Sequence, residues 1–199
     1  MQKIKKKQQY DLFLDTTNNY CYIVIYLHDK KIAEIKLKVN KNVTDLITVA
    51  IKSLFAKAKL GYEDISNIYL NIGPGSFTGI KVGVVIAKMW FCIYKPTIYV
   101  IDSLRLQTTK RNSISLLDAK GQSFFTAVYA GDKVILKPCL RSQTQVAQLL
   151  KKYSKYHHCI NQIDKAYGNF IKHKHYFQKI TVDKLEPLYL KTPFKKIKK

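Results

Sequence analysis

With 199 residues, 47% of them hydrophobic and 12% aromatic, the chain can bury a sizeable core, which excludes a disordered protein. A formal net charge of +22 points toward nucleic acid or an anionic surface. However, Arg105, Arg111 and Arg141 are the only arginines, and Arg is the preferred residue for bidentate phosphate and base contacts. The excess therefore reads first as compositional drift toward Lys and second as an RNA-facing surface.

The spacing predicts strands at Tyr10–Leu14 and Tyr20–Leu27, then a turn at Asp29-Lys30-Lys31 into a third strand, Ile32–Val39, whose period of two gives one solvated face. Thr44–Leu60 repeats Leu46, Ile47, Ala50, Ile51, Leu54, Phe55 and Ala58 at helical steps, with Asn42 or Thr44 as N-cap and Gly61 as the stop. Ile65–Ile72 is a strand, Ile80–Tyr94 a helix stopped by Pro96, and Thr97–Ile101 a strand. This completes a β-β-β-α-β-α-β lobe at residues 1–102. The smaller remainder, 103–199, reads as a helix (Ser103–Arg111), strands at Ile114–Leu117, Phe124–Tyr129 and Val134–Leu136, a helix at Ser142–Tyr153, and weaker strands at His157–Ile160 and Lys179–Val182. The tail from Pro187 through Lys199 reads as frayed.

Several site classes fall away on spacing. Cys21, Cys92, Cys139 and Cys159 form no C-x-x-C pair, which argues against zinc or a disulfide framework. The basic N-terminus, Met1–Tyr10, is not followed by a secretory apolar region. The run Val82–Tyr94 is short for a bilayer and contains Lys88, so a cytoplasmic chain without a membrane partner is expected. His157 and His158 adjoin a strand and His173 and His175 flank Lys174; their spacing fits a metal only on a strand.

Between strand and helix lies Gly73-Pro74-Gly75-Ser76-Phe77-Thr78-Gly79-Ile80-Lys81-Val82-Gly83. A phosphate loop of the Walker kind needs Lys and then Ser or Thr after its last Gly, whereas Gly79 is followed by Ile80. The dinucleotide fingerprint also fails, because Gly79 comes one residue too late. The helix that follows is more informative. Apart from Lys81, Gly83 and Lys88, which leave one narrow polar stripe, it is apolar all round. Such a helix needs cover on two sides: its own sheet on one, and either the preceding helix or another protein chain on the other. The glycines then allow a tight turn and close backbone approach.

With Leu14-Asp15-Thr16-Thr17, Asp102-Ser103-Leu104, Leu117-Asp118-Ala119-Lys120 and Glu186-Pro187-Leu188-Tyr189-Leu190-Lys191, this stretch resembles the TsaB (YeaZ) family over nearly the whole chain. The resemblance implies an actin/hexokinase-like α/β fold of two lobes, mixed β-sheets flanked by helices, with the second lobe reduced. It also implies a non-catalytic, degenerate paralogue of the transferase subunit TsaD. Such a subunit pairs with TsaD and, with the ATPase TsaE, supports N6-threonylcarbamoyl modification of the adenosine beside the anticodon of tRNAs reading ANN codons. ATP would be handled by the partner subunits, with no cofactor on this chain alone; tRNA would be met through the complex, and the free chain could form a homodimer. The implied interface comprises Gly75, Phe77, Thr78, Gly79, Lys81, Val82, Val85, Ile86, Met89 and Trp90, with Ile47, Ile51 and Leu54 of the preceding helix.

The sequence departs from the family pattern in three places. Val43 stands where a His is usual. Asp118-Ala119-Lys120-Gly121-Gln122-Ser123 lacks the second acidic residue. Only Thr181–Leu185 intervenes where a C-terminal helix is usual. Asp15, Thr16 and Asp118 are the residues left for a nucleotide. An ATPase or kinase of the same fold, and a tRNA-binding module using the Lys surface, stand as alternatives.

Overall fold

The computed structural model describes residues 8–39 and 43–191; the candidate cap Asn42 and the basic stretches Met1–Lys7 and Lys195–Lys199 lie outside them. Strands β1 (Tyr10–Asp15), β2 (Tyr20–Leu27) and β3 (Lys30–Lys38) form an antiparallel meander. Helix α1 (Val43–Ala58) crosses to β4 (Ile65–Asn71), which runs parallel to β1, and α2 (Phe77–Tyr94) crosses to β5 (Thr97–Ile101), parallel to β4. Two such crossovers put both helices on one face, as right-handed connections between parallel strands require.

The second sheet contains β6 (Asn112–Asp118), β7 (Ser123–Ala130), β8 (Lys133–Ser142) and β9 (His157–Ile160), in the order β8-β7-β6-β9. Helix α3 (Ser103–Leu106) precedes it, and α4 (Gln143–Lys152) lies between β8 and β9, capped by Ser142. The expected helix Ser103–Arg111 stops early because Gln107 turns inward, donating to Ser115 Oγ at 2.7 Å and the Leu116 carbonyl at 3.0 Å. Strand β8 is longer than the expected Val134–Leu136 and includes Pro138. It is an edge strand, where a missing N–H can face outward.

The first sheet is not complete at residue 102. A segment containing α5 (Ile163–Ala166) and α6 (Phe170–His173) returns to it, and β10 (Gln178–Ile180) adds an edge strand on β5, giving the order β10-β5-β4-β1-β2-β3. The alternation along β1 and β2 thus serves two cores. Leu12, Leu14, Ile23 and Ile25 pack under α1 and α2, whereas Phe13, Tyr22, Val24 and Tyr26 meet Tyr167, Phe170 and Phe177. Tyr22 stacks on Tyr167 at 4.3 Å and Phe13 on Phe170 at 5.0 Å. Lys174 secures the returning segment through Asp11, 2.8 Å away. Edge strand β3 keeps the expected solvated face.

Helix ends also differ from expectation. Thr44 lies within α1, so it is not the cap. The left-handed residue that ends α1 is Lys59 (φ 55°), not Gly61, and the Leu60 N–H bonds back to the Phe55 carbonyl, a Schellman-type closure. Helix α2 begins three residues before the expected Ile80 and is long and apolar enough to cross a membrane by length and composition. One of its faces nevertheless lies in the core: Ile80, Val84, Ala87 and Trp90 are buried.

Candidate functional site: an interlobe cleft and the outer face of a helix

The turn after β1 meets the start of α2 at the mouth of a cleft of ≈ 1180 Å³ between the two sheets. Asp15 lies at the strand end with both carboxylate oxygens hydrogen-bonded. One oxygen accepts from the Thr17 N–H and Thr17 Oγ1, both at 2.8 Å, and the other from Asn71 Nδ2 at 2.9 Å. Asn71 Oδ1 in turn accepts from the Gly73 N–H and Ser103 Oγ, each at 3.0 Å. Burial raises the Asp15 carboxyl above the ordinary aspartate range, against these bonds, which lower it. A carboxylate held this way ties the strand end to Thr17 and Asn71.

The glycine loop is closed from the same side. A Cβ on Gly75 would overlap the Thr17 carbonyl oxygen, and one on Gly79 the Thr16 carbonyl oxygen. The backbone of the first turn therefore packs directly against the glycine loop. Ser76 caps α2 through the Gly79 N–H at 3.3 Å, its own N–H donates to the Thr17 carbonyl at 2.6 Å, and Thr16 Oγ1 donates to the Gly79 carbonyl at 2.7 Å. The stretch is therefore a joint between β1 and α2. The other nucleotide candidate, Asp118, stands exposed across the cleft, its carboxyl held low mainly by the Lys120 N–H, with Lys120 Nζ 3.0 Å away.

Pro187–Lys191, expected to be frayed, is docked across this cleft. The Leu188 N–H donates to the Ile72 carbonyl at 2.9 Å on the first lobe. Tyr189 stacks on Phe77 at 4.7 Å. Leu190 packs into the second lobe's core, and Lys191 Nζ donates to the Ala119 carbonyl at 2.7 Å and to that of Lys120 at 3.0 Å. Proline and the alternating Leu-Tyr-Leu were the available signals for this segment; Asn71 and Ser103 carried none beyond being polar beside apolar strands.

The outer face of α2 supplies the second feature. Val85, Met89 and Ile93 are 52%, 59% and 66% exposed and lie four residues apart, in one stripe. Thr78, Lys81 and Cys92 are also exposed; Val82 and Ile86 are partly covered. On α1, Val49 is 63% exposed. Four residues expected at an interface belong to this chain's own interior: Ile47, Leu54, Gly79 and Trp90 are buried. Trp90 closes a cluster with Phe55 at 5.4 Å and Tyr62 at 5.6 Å. Gly75, Phe77 and Ile51 are partly covered, Phe77 by Tyr189. His173 and His175 lie in a short helix and a turn, not on a strand. Among the described residues no three of His, Cys, Asp and Glu come together as a metal set.

Two mixed sheets flanked by helices define an α/β protein of the actin/hexokinase-like class. The comparisons name the family. The family model described as TsaD, tRNA N6-adenosine threonylcarbamoyltransferase, matches residues 37–179, and the chain belongs to that family, on its TsaB (YeaZ) side. It is 28% identical over 193 residues to the uncharacterized protein MG208 of Mycoplasma genitalium, covering 93% of this chain and 96% of that one. It is 28% identical over 137 residues to the tRNA threonylcarbamoyladenosine biosynthesis protein TsaB of Bacillus subtilis, covering 66% of this chain and 60% of that one. The structure of YeaZ from Pseudomonas aeruginosa superimposes with a TM-score of 0.67 at 11% identity, over 93% of this chain and all of that one.

Proposed function

We propose that this chain is a non-catalytic subunit in the N6-threonylcarbamoyl modification of the adenosine beside the anticodon of tRNAs reading ANN codons. It pairs with a TsaD-like catalytic subunit through the outer face of α2 and the adjoining face of α1. A TsaE-like ATPase completes the set, ATP is handled by the partner subunits, and the complex works in the cytoplasm. The observation that carries the reading is the stripe Val85, Met89, Ile93, which is left open while the opposite face of the same helix is buried. A contiguous exposed apolar stripe of this kind marks an interface. The use of every Asp15 oxygen inside the fold supports the non-catalytic part.

The test is size exclusion with light scattering of the chain, alone and mixed with the TsaD homologue of the same genome. A one-to-one complex burying on the order of 1,000 Å² or more, lost in Val85→Glu, is the expected result. A stable monomer that ignores TsaD would overturn the reading. The same stripe would serve a homodimer of the free chain, since a two-fold pair uses one patch twice.

A further inference from the structure

Away from the cleft and from the α2 stripe lies a second groove of ≈ 590 Å³, lined by Lys110, Arg111, Lys172, His175 and Tyr176 beside the Gly131-Asp132 turn. Of the three arginines in this Lys-dominated chain, Arg111 lines the groove and Arg105 packs on its Tyr176 wall. Arg105 is buried, with its guanidinium between two rings: Cζ is 3.4 Å from the Tyr176 centroid and 4.5 Å from that of Tyr129. Its Nη2 donates to the Gly131 carbonyl at 2.9 Å. His175 also touches Tyr176, with ring centroids 3.8 Å apart and planes tilted by 44°, and is exposed to solvent. Tyr129, Arg105, Tyr176 and His175 thus form a chain of contacts that ends in the exposed His175 ring. Asp132 lies in the same turn, accepting from Tyr176 Oη at 3.0 Å, with Arg105 Nη2 at 4.0 Å.

Exposed cations beside an exposed aromatic ring match the way single-stranded nucleic acid is held, with phosphates on the cations and a base on the ring. We infer that this groove binds an unpaired stretch of RNA, the backbone lying along Lys110, Arg111 and Lys172 and a base stacking on His175. A phosphopeptide or a lipid headgroup would use the cations alone; the exposed His175 ring beside them is the feature that selects a base. Choosing RNA over DNA as the partner rests on the tRNA role proposed above.

The experiment is fluorescence anisotropy of a labelled, unmodified tRNA transcript titrated with the full chain across a salt series. Lys110→Glu/Arg111→Glu/Lys172→Glu should weaken binding about tenfold or more and flatten the salt dependence by about 2 in log–log slope, at ~0.7 per phosphate contact. His175→Ala should weaken it about fivefold at unchanged slope, and His175→Phe should restore it. The charge-matched control Lys57→Glu/Lys151→Glu/Lys155→Glu removes exposed lysines elsewhere and should cost far less. Equal losses in control and groove variants would overturn the site in favour of diffuse charge, as would an unchanged His175→Ala. Circular dichroism confirms folding of each variant. Complex formation with TsaD is measured on the same samples: a groove variant that still pairs while losing RNA separates this site from the pairing surface, and failure of the unaltered chain to pair counts against the proposed function alone.

Discussion

Asp15→Asn is the sharpest probe of the joint beneath α2. Asp15 is fully buried, and its two oxygens face three donors, at 2.8, 2.8 and 2.9 Å. An amide at position 15 has only one acceptor. If its oxygen keeps the Thr17 donors, its nitrogen points at Asn71 Nδ2, donor against donor. If it flips, the conflict moves to Thr17. Asn71 cannot turn to help, because its own oxygen is held by the Gly73 N–H and Ser103 Oγ. Losing one charge-assisted bond costs about 1.5–3 kcal/mol, and a stranded buried donor about 1–3 kcal/mol. Removing a carboxylate that burial already disfavours offsets part of this, leaving about 2–3 kcal/mol of net destabilisation. The swap Asp15→Asn/Asn71→Asp restores donor to acceptor and keeps a carboxylate oxygen for Gly73 and Ser103. Urea unfolding followed by Trp90 fluorescence should therefore show a coupling of about 1 kcal/mol or more in the cycle. An Asp15→Asn variant as stable as the unaltered chain would refute this tie and point to a carboxylate kept for a ligand. A swap as poor as the summed single variants would refute the donor–acceptor logic.

Three further outcomes follow from neighbouring features. Val85→Glu should leave unfolding within about 0.5 kcal/mol, as expected of an exposed site, while weakening TsaD pairing by more than about a hundredfold in calorimetry, because an unpaired carboxylate would be buried; Ile86→Glu is the poorer probe, since Ile86 packs partly on the core. Trp90→Ala should cost about 3–5 kcal/mol by urea unfolding, as it empties the cluster with Phe55 and Tyr62, so any loss of pairing would track loss of fold. Asp102→Asn should be near neutral, since the Arg105 N–H and Tyr129 Oη both donate to a single oxygen, at 2.8 and 3.2 Å. Burial raises the Asp102 carboxyl from 3.8, so the folded state holds that proton to higher pH than the unfolded chain does. Its contribution is full below the unfolded value of 3.8 and is lost as pH rises from there through the native value, so the stability of Asp102→Asn relative to the unaltered chain should rise across the same window.

The first lobe was legible because its signals are local and repeated. The period of two in Ile32–Val39 and the helical steps from Leu46 to Ala58 each name their own element, and β1, β2 and β5 fell within a residue of expectation. The returning segment was not legible. Its helices are four residues long, too short to show a period, and its aromatics Tyr167, Phe170 and Phe177 find their meaning only against Phe13, Tyr22 and Tyr69 across the sheet. The candidate surface was half legible. An all-round apolar helix predicts cover on two sides, but periodicity cannot say which apolar residue faces which cover, and Ile47, Leu54 and Trp90, which the family resemblance puts at the interface, are buried in this chain. The groove around Arg105 joins residues more than sixty positions apart in the chain, and no spacing rule reaches that far.

The docked tail gives the joint its wider meaning. An enzyme that works between two lobes depends on closing and reopening them. Here Leu188 is bonded to the first lobe, while Leu190 and Lys191 hold the second. Any opening of the cleft must break one set of contacts or the other. The network Asp15–Asn71–Ser103 adds a polar tie, since Ser103 begins the second lobe and its N–H also donates to the Gly73 carbonyl at 2.7 Å. A chain stapled in this way presents α2 at a fixed angle, supported by the Thr16 and Thr17 carbonyls packed against Gly79 and Gly75. Pre-set geometry lowers the ordering cost of association. The same residues that join β1 to α2 therefore favour the surface on which the proposed pairing depends, and loosening the joint should weaken pairing even where no contact residue is changed.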